Sequence, residues 1–172
     1  GLFSAMWERA PSPIRQNQCS AIDIYTSRIT SFAEAASAAD FDAWLDHYTL
    51  PHSVHYDSAD RQVEHRDDAR FFFEMLQNTF RQTGANTFSA EPISAVFVSD
   101  DRLLGYHNAT LTLDGQVRFG PLRSRMVWVL HEGQWRCNSV ANALSTAAFQ
   151  SCAFEPSPIL PTMREIQKRM KK

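Results

Sequence analysis

The stretch Ala39–Leu76, ADFDAWLDHYTLPHSVHYDSADRQVEHRDDARFFFEML, decides the fold. Asp40 can accept from the first amides of a helix whose Phe41, Trp44, Leu45 and Tyr48 share one face. Pro51 is expected to end that helix, because proline has no amide hydrogen to continue the ladder. His52–Asp57 alternates as a short strand, and Arg61–His65 can pair back across Ser58, Ala59 and Asp60. A longer helix is predicted to start near Asp67 and Asp68, whose charges suit the positive end of the helix dipole. Its Phe72, Phe73, Met75, Leu76 and Phe80 form an apolar stripe, and Gly84 supplies the usual terminating residue.

Outward from this stretch, Ile22, Tyr25, Ile29, Phe32 and Ala36 recur at helical spacing and predict a preceding helix. Beyond Gly84 the period changes from 3.6 to 2. Thr87–Val98, Leu103–Leu113, Val117–Leu130 and Trp135–Leu144 read as four strands, with hairpin signals at Asp114-Gly115 and Glu132-Gly133. Helices first and hairpins afterwards imply an α+β domain, with three N-terminal helices on one face of a mainly antiparallel sheet of five to six strands. Strands this long must twist and curve, which leaves a concave face and a cone with an apolar pocket. The domain is assigned to 21–150. Residues 1–20, with Pro11 and Pro13, read as an arm. Residues 151–172 read as a Pro-rich extension, in which Thr162–Glu165 matches a capping box before a short basic helix. That helix is expected to dock on its own domain or on a dimer mate.

A chain of 172 residues suits one domain, and a domain of this size can bury roughly 70% of its unfolded surface. Twelve Phe and four Trp suit a large core or an apolar pocket. The net charge of -2 argues against nucleic acid as a partner. No apolar run is long enough for a membrane span, and the N-terminus lacks the layout of a signal peptide. Three cysteines without CxxC spacing make a disulfide framework a poor reading, so a cytoplasmic location is expected.

Three segments together resemble the nuclear transport factor 2-like superfamily, which includes SnoaL-like cyclases, ketosteroid isomerases and scytalone dehydratases. Ala39-Asp40-Phe41-Asp42 with Trp44, Leu45 and Tyr48 is similar to the family's second helix. Ser53–Asp57 is similar to its first strand, and Val63–Phe72 to its entry into the third helix. The closing hairpin Trp128–Trp135 also fits, so the resemblance covers about residues 22–144. It implies a cone around an apolar pocket, commonly dimerised by sheet packing. Members include enzymes and proteins with no chemistry, so fold does not fix function.

The resemblance places Asp57 near the proton-abstracting carboxylate of the isomerases, although counting without a gap puts Tyr56 there. The isomerases' first-helix Tyr and oxyanion-stabilising Asp fall on Phe32 and Met126, which cannot donate a hydrogen bond to an oxyanion, so a steroid-isomerase mechanism is disfavoured. His55 and His107 resemble the histidines with which scytalone dehydratases move protons, with Tyr48, Tyr25 and Asn138 as nearby donors. The plainer alternatives are a strand-end Asp bonded to a turn amide and single strand histidines satisfied by the backbone or solvent. His52 and His55 lie three apart on a strand and point to opposite faces, so they make poor joint metal ligands, and no metal is expected. Arg123 and Arg125 share one strand face, opposite Ser124, Met126 and Trp128. They would clamp an anion if that face were inside, but the apolar set is the better inward face.

The expected site therefore has Asp57, His55, His107 and Tyr48 as catalytic groups. Tyr25, Trp44, Tyr56, Phe72, Leu76, Met126, Trp128 and Asn138 are expected to bind the ligand. The expected function is cofactor-independent dehydratase, isomerase or cyclase chemistry on a small apolar or aromatic molecule, in a homodimer. The alternative is a binding or assembly module similar to the small subunit of ring-hydroxylating dioxygenases.

Overall fold

The computed structural model describes residues 20–56 and 59–142. The arm before Ser20, Asp57 and the C-terminal extension lie outside the described residues. Helix α1, Ala21–Ser37, starts where the Ser20 hydroxyl accepts from the Asp23 amide, and it buries Tyr25, Ile29, Phe32 and Ala36 along one face. Helix α2, Phe41–Leu45, is capped by Asp40, whose carboxylate accepts from the Ala43 amide at 3.1 Å. It stops well short of Pro51. The Cys137 amide donates to the His47 carbonyl at 2.7 Å, which draws the chain into the sheet. Tyr48 therefore opens strand β1, Tyr48–His55, and Pro51 lies inside it. Tyr48 still packs against Phe32 and Trp44, so the apolar spacing that suggested a longer helix is satisfied from a strand.

Strand β2, Asp60–Val63, pairs back on β1. Helix α3, Arg66–Thr83, follows, with the Asp68 carboxylate accepting from the Glu64 and His65 amides at 3.2 and 3.1 Å. Gly84 ends it in the left-handed region at φ 75°, as its place after the apolar stripe requires. Strands β3, Thr87–Ser99, β4, Arg102–Leu113, β5, Gln116–His131, and β6, Gln134–Asn142, complete the fold. Both residues of the Asp114-Gly115 and Glu132-Gly133 turns have positive φ, the hand that matches the twist of the strands they join.

The six strands form one sheet in the order β2-β1-β6-β5-β4-β3, with β1 and β6 parallel and every other pair antiparallel. Helix α1 packs chiefly on β3. Tyr25, Ile29, Leu103, Met126, Trp128 and Cys137 are fully buried between helices and sheet. Gly105 on β4 makes this packing possible, because a methyl group there would overlap the Tyr25 ring.

Irregularities bend the sheet and re-aim its side chains. Across the β1–β6 pair, Tyr48 faces Cys137 and Ser53 faces Ser139, so residues 49–52 lie opposite Asn138 alone. On β5, Gly120 and Pro121 are extruded between Phe119, which faces Leu111, and Leu122, which faces Ala109. Gly120 has φ 97°, and a methyl group added there would meet the Ala109 carbonyl oxygen at 2.7 Å, so a larger residue would be strained twice over.

Candidate functional site

A half-enclosed cavity of about 170 Å³ lies between the concave face of the sheet and the helices. Helix α3 supplies Phe72, Met75, Leu76 and Thr79, and Phe32, Trp44 and Phe88 close the end near α1 and α2. The floor comes from Tyr48, His52 and Val54 on β1, Tyr56 just after it, and His107, Ala109, Thr110 and Leu111 on β4. Phe119, Leu122, Ser124 and Met126 on β5 and Val140 and Asn142 on β6 complete it. An apolar cavity of about 150 Å³ is enough to hold benzene, so this one has room for a ring-sized molecule.

Register explains which residues reach it. His107 pairs with Ser124 and Ala109 with Leu122, so these four point to the same face. Phe119 and Leu122 both line the cavity because the extruded Gly120-Pro121 pair restores their phase. Tyr48 and His52, four residues apart, both face inward by alternation, and the long bulge in β1 brings their rings together, stacked at 4.2 Å.

Of the residues expected from sequence, Tyr48, His107, Trp44, Tyr56, Phe72, Leu76 and Met126 come together in the wall. Phe32 and Met126 are both there, so the two positions that lack an isomerase's donors do face the cavity. His55 is placed elsewhere. It is half-exposed on the opposite face of β1, with Nδ1 2.7 Å from the Asp60 carboxylate. Trp128 is completely buried in the core with the Arg28 guanidinium over its ring, and it is not among the lining residues. Tyr25 also lies outside the wall, but its hydroxyl meets Nδ1 of His107 at 2.7 Å. Asn138 is the bulged residue opposite 49–52, and the slip it introduces gives the inward positions of β6 to Val140 and Asn142. Asp57 follows Tyr56 but lies outside the described residues. Arg123 is exposed and donates to Asn108, so the inward face of that strand carries Ser124 and Met126 and no anion clamp.

Burial sets the electrostatics. It pushes the His107 pKa down to about 4. Burial also lowers His52 to about 4, with the Thr49 carbonyl, 2.8 Å from Nδ1, opposing it in part. Both rings are therefore neutral at physiological pH. Burial raises the phenols of Tyr48 and Tyr56, so both stay protonated and available as donors. Cys137 lies behind Tyr48 with its thiol pushed up to about 12 by burial, so it is not a nucleophile. Among the described residues no group of three or more His, Cys, Asp or Glu is placed to hold a metal ion.

Sequence reasoning missed His52, Ser124, Thr110 and Asn142. The signal for His52 was present, because His52 and Val54 on β1 and Tyr56 just after it alternate toward one face. The signal for Asn142 was not, because the extra residue at 138 leaves no mark in a sequence of small and polar residues.

Three helices laid on a curved, unclosed six-stranded sheet, with a cavity between them, define an α+β cone of the cystatin-like type. Solved structures share it. A domain of unknown function with a cystatin-like fold from Nostoc punctiforme superposes with a TM-score of 0.56 at 12% identity, covering 74% of this chain and 80% of that one. A nuclear transport factor 2-like protein of unknown function from Shewanella oneidensis gives 0.53 at 11% identity, covering 71% and 98%. A ketosteroid isomerase-like protein from Erwinia carotovora atroseptica gives 0.52 at 14% identity, covering 71% and 94%. What these structures share with the chain, at 11–14% identity, is the cystatin-like fold. No family model matches the sequence, and no curated protein matches it. Among the described residues no helix is long and apolar enough to cross a membrane.

Proposed function

We propose that the protein binds a small apolar or aromatic molecule in this cavity and acts on it by general acid–base chemistry, as a cofactor-independent lyase or isomerase of the dehydratase, isomerase or cyclase kind. The observation that carries this reading is His107, a buried, neutral imidazole in the wall of a cavity otherwise rich in aromatic and aliphatic side chains. A neutral imidazole held at low pKa can polarise a carbonyl or hydroxyl oxygen without introducing a charge. Tyr48 and Tyr56 supply protonated phenols on the opposite strand, and Asp57 is the nearest candidate carboxylate in sequence. The other ligand-binding roles fall to Trp44, Phe72, Leu76 and Met126, which shape the space.

The test is turnover of a panel of cyclic hydroxy compounds, followed by mass spectrometry for loss of water or isomerisation. His107→Gln is expected to slow the reaction roughly 10²–10⁴-fold with little change in KM. Equal rates in His107→Gln and wild type contradict the role of His107, and equal rates in Asp57→Asn remove Asp57 from the scheme.

A second reading, assembly with another subunit, is favoured by the outer face of the sheet. Ile93, Val96, Val98 and Tyr106 are exposed there on neighbouring strands. The same surface suits the homodimer expected from sequence. A one-chain mass in sedimentation contradicts the homodimer.

A further inference from the structure

The two cavity histidines are held from behind by partners of opposite character. Nδ1 of His52 lies 2.8 Å from the Thr49 carbonyl, which can only accept. The neutral His52 ring must therefore carry its proton on Nδ1 and leave a lone pair on Nε2. Nδ1 of His107 lies 2.7 Å from the Tyr25 hydroxyl. Among the described residues the buried Tyr25 hydroxyl has no other hydrogen-bond acceptor, so its hydrogen is satisfied by pointing at Nδ1 of His107. The phenol donates and Nδ1 accepts, which places the His107 proton on Nε2. In both rings Nε2 is the nitrogen left for an occupant of the cavity.

Neither arrangement is accidental in the fold. His52 meets the Thr49 carbonyl because the β1 bulge folds residues 49–52 back on themselves, and its ring is held flat against Tyr48. Tyr25 reaches His107 because Gly105, two residues earlier on β4, leaves room for the phenol ring to lie on the sheet. Both histidines are only 2% exposed, so each ring has little freedom to exchange its partner for water.

We propose that His52 and His107 form a fixed acceptor–donor pair. Nε2 of His52 presents a lone pair and Nε2 of His107 presents a hydrogen, which selects an uncharged ring compound bearing a hydrogen-bond donor and, elsewhere on the ring, an acceptor. The proposal rests on the acid–base reading above and deepens it: His52 takes the proton-accepting side and His107 the proton-donating side, with Tyr25 as a positioning residue. An ion fits such a pair poorly. An anion would face the His52 lone pair and a cation the His107 N–H, and among the described residues no charged side chain lines the cavity to compensate.

Long-range proton–nitrogen correlation NMR on the ¹⁵N-labelled full chain at neutral pH reads each tautomer directly. Protonated and unprotonated ring nitrogens resonate far apart. His52 is expected as the Nδ1–H form and His107 as the Nε2–H form. Tyr25→Phe removes the donor to Nδ1 and is expected to turn His107 into a tautomer mixture. The His52 pattern is expected to stay unchanged, which also reports that the fold is intact. Addition of cyclohexanone, which only accepts, is expected to move His107 Nε2 most, and phenol, a strong donor, to move His52 Nε2 most.

A His107 proton on Nδ1, a His52 proton on Nε2, or a Tyr25→Phe spectrum identical to wild type overturns the pair. Reversed responses to the two probes overturn the selection. If the tautomers are as stated and neither probe reaches the cavity, the ligand selection falls with the proposed function, and the tautomer pair stands on the spectra alone.

Discussion

Acidification from pH 7 to pH 4 is expected to cost the fold roughly 3 kcal/mol for each of His52 and His107. Both have folded-state values near 4, against 6.5 when exposed. Between those values the unfolded chain binds a proton that the folded chain refuses, so acid favours unfolding. The stability is fully present above about pH 6.5, falls through the window, and stops falling from this cause below about pH 4. His47 is also lowered by burial and acts in the same direction. Urea midpoints measured across this range check the expectation. His52→Gln and His107→Gln should each flatten the profile, which separates the histidines from carboxylates that begin to titrate at the acid end. A profile that is flat down to pH 4 in the wild type contradicts the burial of these rings.

Trp128→Ala is expected to destabilise the protein by about 3–5 kcal/mol, and Trp128→Phe by much less. Trp128 is completely buried and faces Leu103 across the β4–β5 pair and Cys137 across the β5–β6 pair. Its removal opens a cavity on three sides, because α1 presses on the other side of the ring through Arg28. Its indole Nε1 is buried with no hydrogen-bond partner among the described residues. Phenylalanine loses some packing but also removes that stranded donor, and the two effects oppose each other. Chemical denaturation of both variants decides the point. Equal losses for Ala and Phe would mean that the ring contributes little and the indole nitrogen is satisfied.

The fold was legible in the sequence because its signals are local. Asp40, Gly84, Asp114-Gly115 and Glu132-Gly133 mark ends and turns by their own conformational preferences, and all four do so in the structure. The length of α2 was misread because Tyr48 satisfies a helical spacing while sitting on a strand. That choice is made by the amide of Cys137, which donates to the His47 carbonyl 90 positions earlier in the chain. The candidate site was only partly legible for the same reason. Strict alternation put Met126 correctly on the inner face and the family resemblance pointed to His107, but alternation failed where a strand slips register. Counted from the buried Cys137, the slip at Asn138 moves the inner face of β6 to Val140 and Asn142, while the bulge at 49–52 brings the His52 ring against Tyr48. Trp128 and Tyr25 were placed on the inward face but at the wrong depth, since strand alternation and helical spacing tell inside from outside and not cavity from core. The Tyr25–His107 contact spans 82 positions, and only the three-dimensional path of α1 over β4 creates it.

The central claim is that an uncharged ring occupies the space between α3 and the sheet. Methyl-resolved NMR during a phenol titration tests it most directly. Leu76, Leu111, Met126 and Val140 all line the cavity and report on its interior. Their signals are expected to shift together, saturably, while the methyls of Val96 and Val98 on the outer face stay fixed. Leu122→Trp, which places an indole in the cavity from its half-exposed rim, should abolish the response without unfolding the chain. Shifts scattered over the surface, or a full response in Leu122→Trp, would contradict the account.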